Sequence, residues 1–408
     1  MNPLYVGIDV SSKSNVVYLM LPDGSKHSNF SVANSQDGST QLVKRILSVV
    51  TSLSLDTIII GLEATSVYGD NLVYFLREDA TLVPYNRKIH VLNPKQVKNF
   101  KEAYNDLPKN DYVDSYVIAD CLRFGRINKE VYQGDYRYKA LQNLTRARFF
   151  AVQNLVKEKQ RFINVLFKKY STMTQEKVFH DTFSTTALAV YEEFDSAEAL
   201  ASMDLQELTG FIMEKGKNRF PDPDAVAKAI QKAARSSYRL PKTINDSVNQ
   251  VLSISITSIK ALESQVKEFD KAIKAQIELL PNVLTSIPGI GPVYSAGIIA
   301  EIGDINRFPS QAQLGKYAGL AWTQNQSGDF EAENTRLIKS GNRFLKYYLC
   351  EGALSLVRCD TEYSNFYHSK YKEVNRHQHK RALALTARKF LRLVFRLLKD
   401  NRLYRAAE

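Results

Sequence analysis

Cysteine is scarce in this chain: three among 408 residues, Cys121, Cys350 and Cys359, with no CxxC pair. A disulfide framework and a thiolate zinc site are therefore not expected. No uncharged apolar run reaches the roughly 20 residues that span a bilayer, and the opening MNPLYVGIDVSS lacks the basic-then-apolar order of a secretory signal. These absences point to a soluble, cytoplasmic protein without a membrane partner. Acidic residues are also outnumbered, 43 Asp and Glu against 55 Lys and Arg, for a formal net charge of +12. Hydrophobic residues at 44% and charged residues at 24% fit a globular core and exclude disorder. The positive field favours a polyanion such as nucleic acid. From Lys370 to Glu408, twelve basic residues face three acidic ones, so this stretch carries most of the net charge. Leu383, Phe390, Leu391, Val394, Phe395 and Leu398 give it an apolar stripe, which makes an amphipathic basic helix. A surface helix with a solvated basic face satisfies the same pattern.

Three regions follow along the chain. Residues 1–135 read as α/β. Leu4–Val10 is an apolar run of strand length, followed by Val16–Leu21, a Pro22-Asp23-Gly24 turn and Lys26–Val32, a three-strand meander. A helical pattern over Gln41–Leu53, the β-branched run Thr57–Ile60, a helix at Asn71–Glu78, a short strand at Lys88–Leu92 and a helix at Tyr112–Phe124 complete it. That order is the order of a ribonuclease-H-like layer. Residues 136–280 contain no convincing strand. Leu141, Leu144, Val152, Leu155, Phe162 and Leu166 recur at helical spacing with a gap near Arg148, and Leu252 to Leu280 step by three or four. This is a coiled-coil seam that pairs two copies, or the two long helices of one hairpin. Residues 281–408 open on Ile287-Pro288-Gly289-Ile290-Gly291-Pro292-Val293 before a helical run, the form of a helix-hairpin-helix. Gly289 and Gly291 would let backbone approach a phosphate; a tight turn without a ligand is the plainer alternative.

Four acids carry the first chemical signal. Asp9 interrupts the apolar first strand, where an unpaired carboxylate is costly, and Glu63 ends the fourth. In a ribonuclease-H-like sheet these two strands are neighbours. Asp111 and Asp114 stand three apart at a helix start, so both project from one face. Oxygen ligands of this kind suit two hard divalent cations, Mg2+ or Mn2+, holding a phosphodiester. For Asp111 alone, helix capping is the simpler role.

The second signal is a serine. Ser327-Gly328 lies in a polar loop after Tyr317-Ala318-Gly319-Leu320-Ala321, and Ser340-Gly341 lies in the basic run Arg336–Arg343. Spacing does not choose between Ser327 and Ser340. No histidine lies close by in sequence, so a hydrolase triad is not indicated.

GIDVS, GLEAT, the Lys-Asn-Asp-x-x-Asp-Ser run ending in Val-Ile-Ala-Asp, SIPGIGPVYSAGIIAEIG, YAGLA, the Gln-Ser-Gly loop and KSGNR occur in one chain in a fixed order. Together they resemble the DEDD transposases of the insertion sequence 110 family, relatives of the Piv invertase. The resemblance covers both end regions; the middle is similar only in being helical. It implies a RuvC-like domain over 1–135, a helical coiled-coil domain over 136–280, and over 281–408 a mainly helical transposase domain bearing the helix-hairpin-helix-like motif. It implies metal ligation and catalysis by Asp9, Glu63, Asp111 and Asp114, and assigns the nucleophile to Ser327. Ser340 falls in the family's basic Lys-x-Gly-Asn-Arg run instead. Trp322, where proline is usual, and Asn15, where histidine is common, depart from the pattern outside the expected ligands. The resemblance further implies a bacterial, nucleoid-associated recombinase acting as a dimer or tetramer. A noncoding bridge RNA would pair with donor and target DNA. Gly289, Gly291, Arg336, Lys339, Arg343, Lys380, Arg381 and Arg388 are the candidate nucleic-acid contacts. A two-metal junction resolvase without the serine step, and a catalytically inert nucleic-acid-binding protein, are the competing expectations.

Overall fold

Side-chain alternation along the first strand sets the architecture of the N-terminal part. In β1 (Pro3–Val10), Leu4, Val6, Ile8 and Val10 are buried, while Tyr5, Gly7 and Asp9 take the opposite face. The computed structural model describes residues 2–64, 67–104, 107–108, 110–125, 136–323, 326–327, 330–331 and 336–405. The chain divides into two compact units, Met1–Gly134 and Asp135–Glu408.

In the first unit, β1, β2 (Ser14–Met20) and β3 (Lys26–Ala33) form the expected antiparallel meander. Helix α1 (Gln36–Ser52) leads to β4 (Thr57–Glu63), parallel to β1, and α2 (Asp70–Glu78) to β5 (Lys88–Leu92), parallel to β4. The strand order is β3-β2-β1-β4-β5, the mixed sheet of a ribonuclease-H-like layer. Leu42, Ile46 and Val50 of α1 cover the Leu4–Val6–Ile8 face. Helices α3 (Pro94–Lys101) and α4 (Asp111–Phe124) cover the other, where Val117, Ile118 and Leu122 meet Tyr5 and Ile59. Helix α3 is an addition to the sequence reading, which placed no element between the strand at Lys88–Leu92 and the helix at Tyr112–Phe124. Asn93 and Pro94 start it: Asn93 caps the helix by accepting from Lys95 N at 2.9 Å and Pro94 fills the first position.

In the second unit two helices dominate, α5 (Tyr136–Lys169) and, later, α11 (Lys242–Ile277). Between them lie five shorter helices: α6 (Ser171–Glu176), α7 (Thr185–Glu193), α8 (Ala197–Ser202), α9 (Leu205–Lys215) and α10 (Pro223–Ser236). Helices α5 and α11 pack antiparallel on each other within one chain. Lys159 Nζ lies 2.6 Å from Glu263 Oε1, Ser255 Oγ donates to Glu158 Oε1 at 2.7 Å, and Arg148 pairs with Asp270. That ion pair explains the gap in the apolar spacing near Arg148. At one end of the hairpin, Phe162, Leu252 and Ile256 join the core of the shorter helices. At the other, Leu141, Ile273 and Ile277 join the core of α12 (Pro292–Ile302), α14 (Arg343–Cys359) and α16 (Gln378–Asp400). Two further helices, α13 (Gln311–Tyr317) and α15 (Thr361–Lys372), and a two-stranded ribbon, β6 (Gln326–Ser327) with β7 (Phe330–Glu331), complete the unit. The apolar stripe of α16, with Phe390, Leu391 and Val394, is buried in this core. Among the described residues no helix is long and apolar enough to cross a membrane.

Candidate active site

The sheet and one helix bring the acids together. Ile8 and Leu62 are paired in the parallel β1–β4 register. Asp9 and Glu63 each follow by one residue, so they sit side by side at the carboxyl ends of their strands, on the face that α4 covers. Two glycines let α4 approach. A Cβ on Gly7 would stand 2.1 Å from Ser115 O and 2.5 Å from Ala119 N, and one on Gly61 would stand 2.9 Å from the Leu122 side chain. With α4 pressed onto the strands, its first turn, which carries Asp111 and Asp114, lies toward the strand acids. Asn110 fixes that start by accepting from Val113 N at 2.9 Å.

The electrostatics record the convergence. The pKa of Asp9 is raised from 3.8 to about 6, first by burial and then by repulsion from Asp114 and Asp111. Burial, Asp9 and Asp114 raise that of Glu63. Both shifts are offset by Lys101, whose Nζ donates to Asp114 Oδ1 at 2.6 Å. Sequence reasoning missed Lys101, which α3 brings to the acids. Asp9 is half-buried, less enclosed than the apolar run around it implied.

Among the described residues no group of three or more His, Cys, Asp or Glu stands at metal-binding spacing. The donor set nevertheless fits a divalent cation. It is all oxygen, its members repel one another, and an ammonium already sits against one of them.

The other candidates lie in the second unit. Ser327 ends β6, paired with Phe330, on a ribbon whose base is the Trp322–Leu337 bridge and the bond from Thr323 N to Arg336 O at 2.8 Å. Its side chain lies outside the described residues. Ser340 is exposed in the segment leading to α14, which is tied to α13 by Asn342 N donating to Tyr317 O at 2.7 Å. Gly289 has φ +77°, its carbonyl accepts from Ser355 Oγ at 2.7 Å, and a Cβ there would meet Cys359 Sγ at 2.9 Å. Packing on α14 therefore requires glycine at this position. Gly291 is exposed, open to added bulk, and starts α12. Arg336, Lys339, Arg343 and Lys380 are exposed. Arg381 is paired with Glu373 at 2.8 Å, and Arg388 is half-buried over Gly315, donating to Gln311 O at 3.1 Å.

Known proteins are similar to this chain. A transposase family model matches residues 6–170, and a model of the IS116/IS110/IS902 transposase family matches residues 282–368. The insertion element IS116 uncharacterized 44.8 kDa protein of Streptomyces clavuligerus is 25% identical over 80% of each chain. The insertion element IS900 uncharacterized 42 kDa protein of Mycobacterium paratuberculosis is 23% identical over 99% of this chain and 98% of its own. The solved T. thermophilus RuvC bound to a Holliday junction substrate aligns with TM-score 0.24 and 14% identity, over 32% of this chain and 99% of that one. The fold assignment accordingly rests on the strand order. With two family models together spanning more than half of its residues, the chain belongs to the IS110 family of transposases.

Proposed function

We propose that this transposase cuts and rejoins DNA strands at the acidic cluster of Asp9, Glu63, Asp111 and Asp114, with Ser327 as the nucleophile. The observation that carries the reading is the placing of the acids: Asp9 and Glu63 follow the paired Ile8 and Leu62, and the helix whose first turn bears Asp111 and Asp114 packs on the same face. Carboxylates held together against their own repulsion at strand ends suit cations rather than a bare phosphate. Asp9 and Glu63 from the strands, with Asp111 and Asp114 from α4, would hold two Mg2+ or Mn2+ ions. Bound there, the ions supply charge that offsets the negative charge growing on the scissile phosphate.

The chain's own part is the covalent step. Ser327 Oγ loses its proton to solvent and attacks phosphorus. The bond from phosphorus to the departing DNA oxygen breaks, and that oxygen takes up a proton. The phosphoserine keeps the bond energy until an incoming DNA hydroxyl reverses the step. The reading has three domains, 1–135, 136–280 and 281–408, in a homo-oligomer, with a bridge RNA pairing to donor and target DNA. The protein then grips backbone by charge and shape, which the exposed Arg336, Lys339, Arg343 and Lys380 support.

Recombination between donor and target DNA, with the element's noncoding RNA added or withheld, tests this. Asp9→Asn and Ser327→Ala are expected to abolish strand exchange, Ser340→Ala to keep it, and omission of the RNA to remove site choice. Native-like exchange by Ser327→Ala would move the mechanism to a water nucleophile, as in a two-metal resolvase.

A further inference from the structure

Helix α5 meets the start of α14 through a cluster of rings. The Phe149 centroid lies 5.2 Å from that of Phe344, and Phe150 lies 5.7 Å from Phe344, both edge to face. Across them runs the Arg343 guanidinium, 4.8 Å from the Phe344 centroid, 5.3 Å from Phe150 and 6.0 Å from Phe149. This is a surface feature: Phe150 is 47% exposed and Arg343 is exposed.

The ground beneath the rings is rigid. Glu301, 1% exposed, receives Arg146 Nε at 2.7 Å and Arg146 Nη2 at 2.9 Å. Its Oε2 also accepts from Asn342 Nδ2 at 2.7 Å, and Asn342 Oδ1 caps α14 at Phe344 N and Leu345 N, 3.0 Å each. Arg146 itself lies 4.6 Å from the Phe344 centroid. The ring faces and guanidinium plane are thus placed before any ligand arrives, which lowers the ordering cost of binding.

Flat aromatic and guanidinium surfaces beside positive charge suit a planar base joined to a phosphate. A duplex keeps its base faces stacked on one another and offers no face to such a surface. An unpaired nucleotide does. We propose that Phe150 and Arg343, backed by Phe344, form a stacking platform for an unpaired base of the DNA substrate, with Arg343 also serving its phosphate. The inference rests on the strand-exchange reading above, since exchange requires unpaired strands to be held.

The test is equilibrium binding of the full chain to a fluorescent single-stranded DNA, with the duplex and the single-stranded RNA of the same sequence as further arms. Phe150→Leu keeps apolar bulk but loses the π face. It is expected to weaken the single-stranded DNA complex about tenfold while duplex binding stays unchanged, and Phe150→Trp is expected to retain the native affinity. Arg343→Lys, which keeps the charge without the plane, is expected to weaken the same arm, and an unchanged unfolding midpoint shows that each variant folds. Native affinity of Phe150→Leu for single-stranded DNA overturns the platform, as does an equal loss on duplex or a loss confined to RNA. Failure of the native chain to bind DNA in any arm would overturn the strand-exchange reading, and the platform with it.

Discussion

The Lys101 ammonium donates to the Asp114 carboxylate at 2.6 Å, among acids that raise the proton affinity of Asp9 and Glu63. A protein cation thus occupies ground that a divalent ion would need. Replacing Lys101 by methionine removes the competitor and the charge that lowers the pKa of Asp9 and Glu63. The variant is expected to be less stable than the native chain in chelator and to gain more from added Mg2+. Unfolding midpoints in EDTA and in Mg2+ check this. Equal gains in the two proteins would show that Lys101 and the ion do not share Asp114.

The raised pKa of Asp9 predicts a pH dependence of stability. The ordinary value is 3.8 and the folded value is about 6, so the folded state holds this proton more tightly than the unfolded one. Stability from this group is therefore fully present below about pH 4, declines as pH rises through about 6, and stays lower above that. Asp9→Asn removes the decline. Without divalent ions at pH 7.5, this variant is expected to unfold at a higher temperature than the native chain, while strand cleavage is lost. A midpoint equal to or below the native one would show that Asp9 carries no electrostatic strain.

Gly7 tests whether α4 must touch the sheet for the acids to converge. Its absent side chain leaves room for Ser115 O, which a Cβ would approach to 2.1 Å. Gly7→Ala is expected to cost about 3 kcal/mol, the upper part of the range for overpacking, because the obstacle is backbone and cannot rotate away. The variant should also lose stabilisation by Mg2+, since Asp111 and Asp114 move with the helix. Urea unfolding with and without the ion measures both. A destabilised variant with a full Mg2+ response would separate the packing from the site.

The acids were legible in the sequence because strand alternation and helix periodicity locate them without knowledge of the tertiary fold. Asp9 interrupts and Glu63 ends a strand of recognisable length, and the three-residue spacing of Asp111 and Asp114 survives in α4. Lys101 was not legible, because its role arises from the packing of α3 against α4 and the start of α3 reads equally as the stop of a strand. The long seam stayed ambiguous for another reason. Apolar residues at Leu252, Ile256 and Ile259 specify a partner surface but not whose, and here the surface comes from α5 and the shorter helices of the same chain. The network around Glu301 escaped notice because Gln142 and Arg146, together on α5, are far in sequence from Glu301 and Asn342.

Glu301 makes a prediction about stability alone. It is buried, ion-paired with Arg146 and bonded to Asn342, so Glu301→Gln breaks the ion pair from one side. Breaking a buried pair from one side costs about 3–5 kcal/mol. The Arg146 side chain is 35% exposed and can turn to water, which places Glu301→Gln near the lower end, about 3 kcal/mol. Chemical denaturation measures it. A cost below about 1 kcal/mol would mean that Arg146 is hydrated in the folded chain.

The charge surplus has a measurable consequence for DNA binding. Acidic residues dominate the candidate active site, whereas the exposed cations Arg336, Lys339, Arg343 and Lys380 lie in the second unit. Each phosphate these cations neutralise releases condensed counterions. The logarithm of the binding constant for duplex should then fall by about 0.9 per contact for each unit rise in the logarithm of salt concentration. Replacing Arg336 and Lys339 together by alanine is expected to reduce that slope by about two and to weaken all duplex sequences alike. Arg388→Ala, which removes a side chain engaged with Gln311 O, is expected to lower stability and leave the slope unchanged. A salt-independent native complex would show that the cations do not hold DNA backbone. A slope change in Arg388→Ala as large as in the double variant would show that this half-buried arginine reaches phosphate as well.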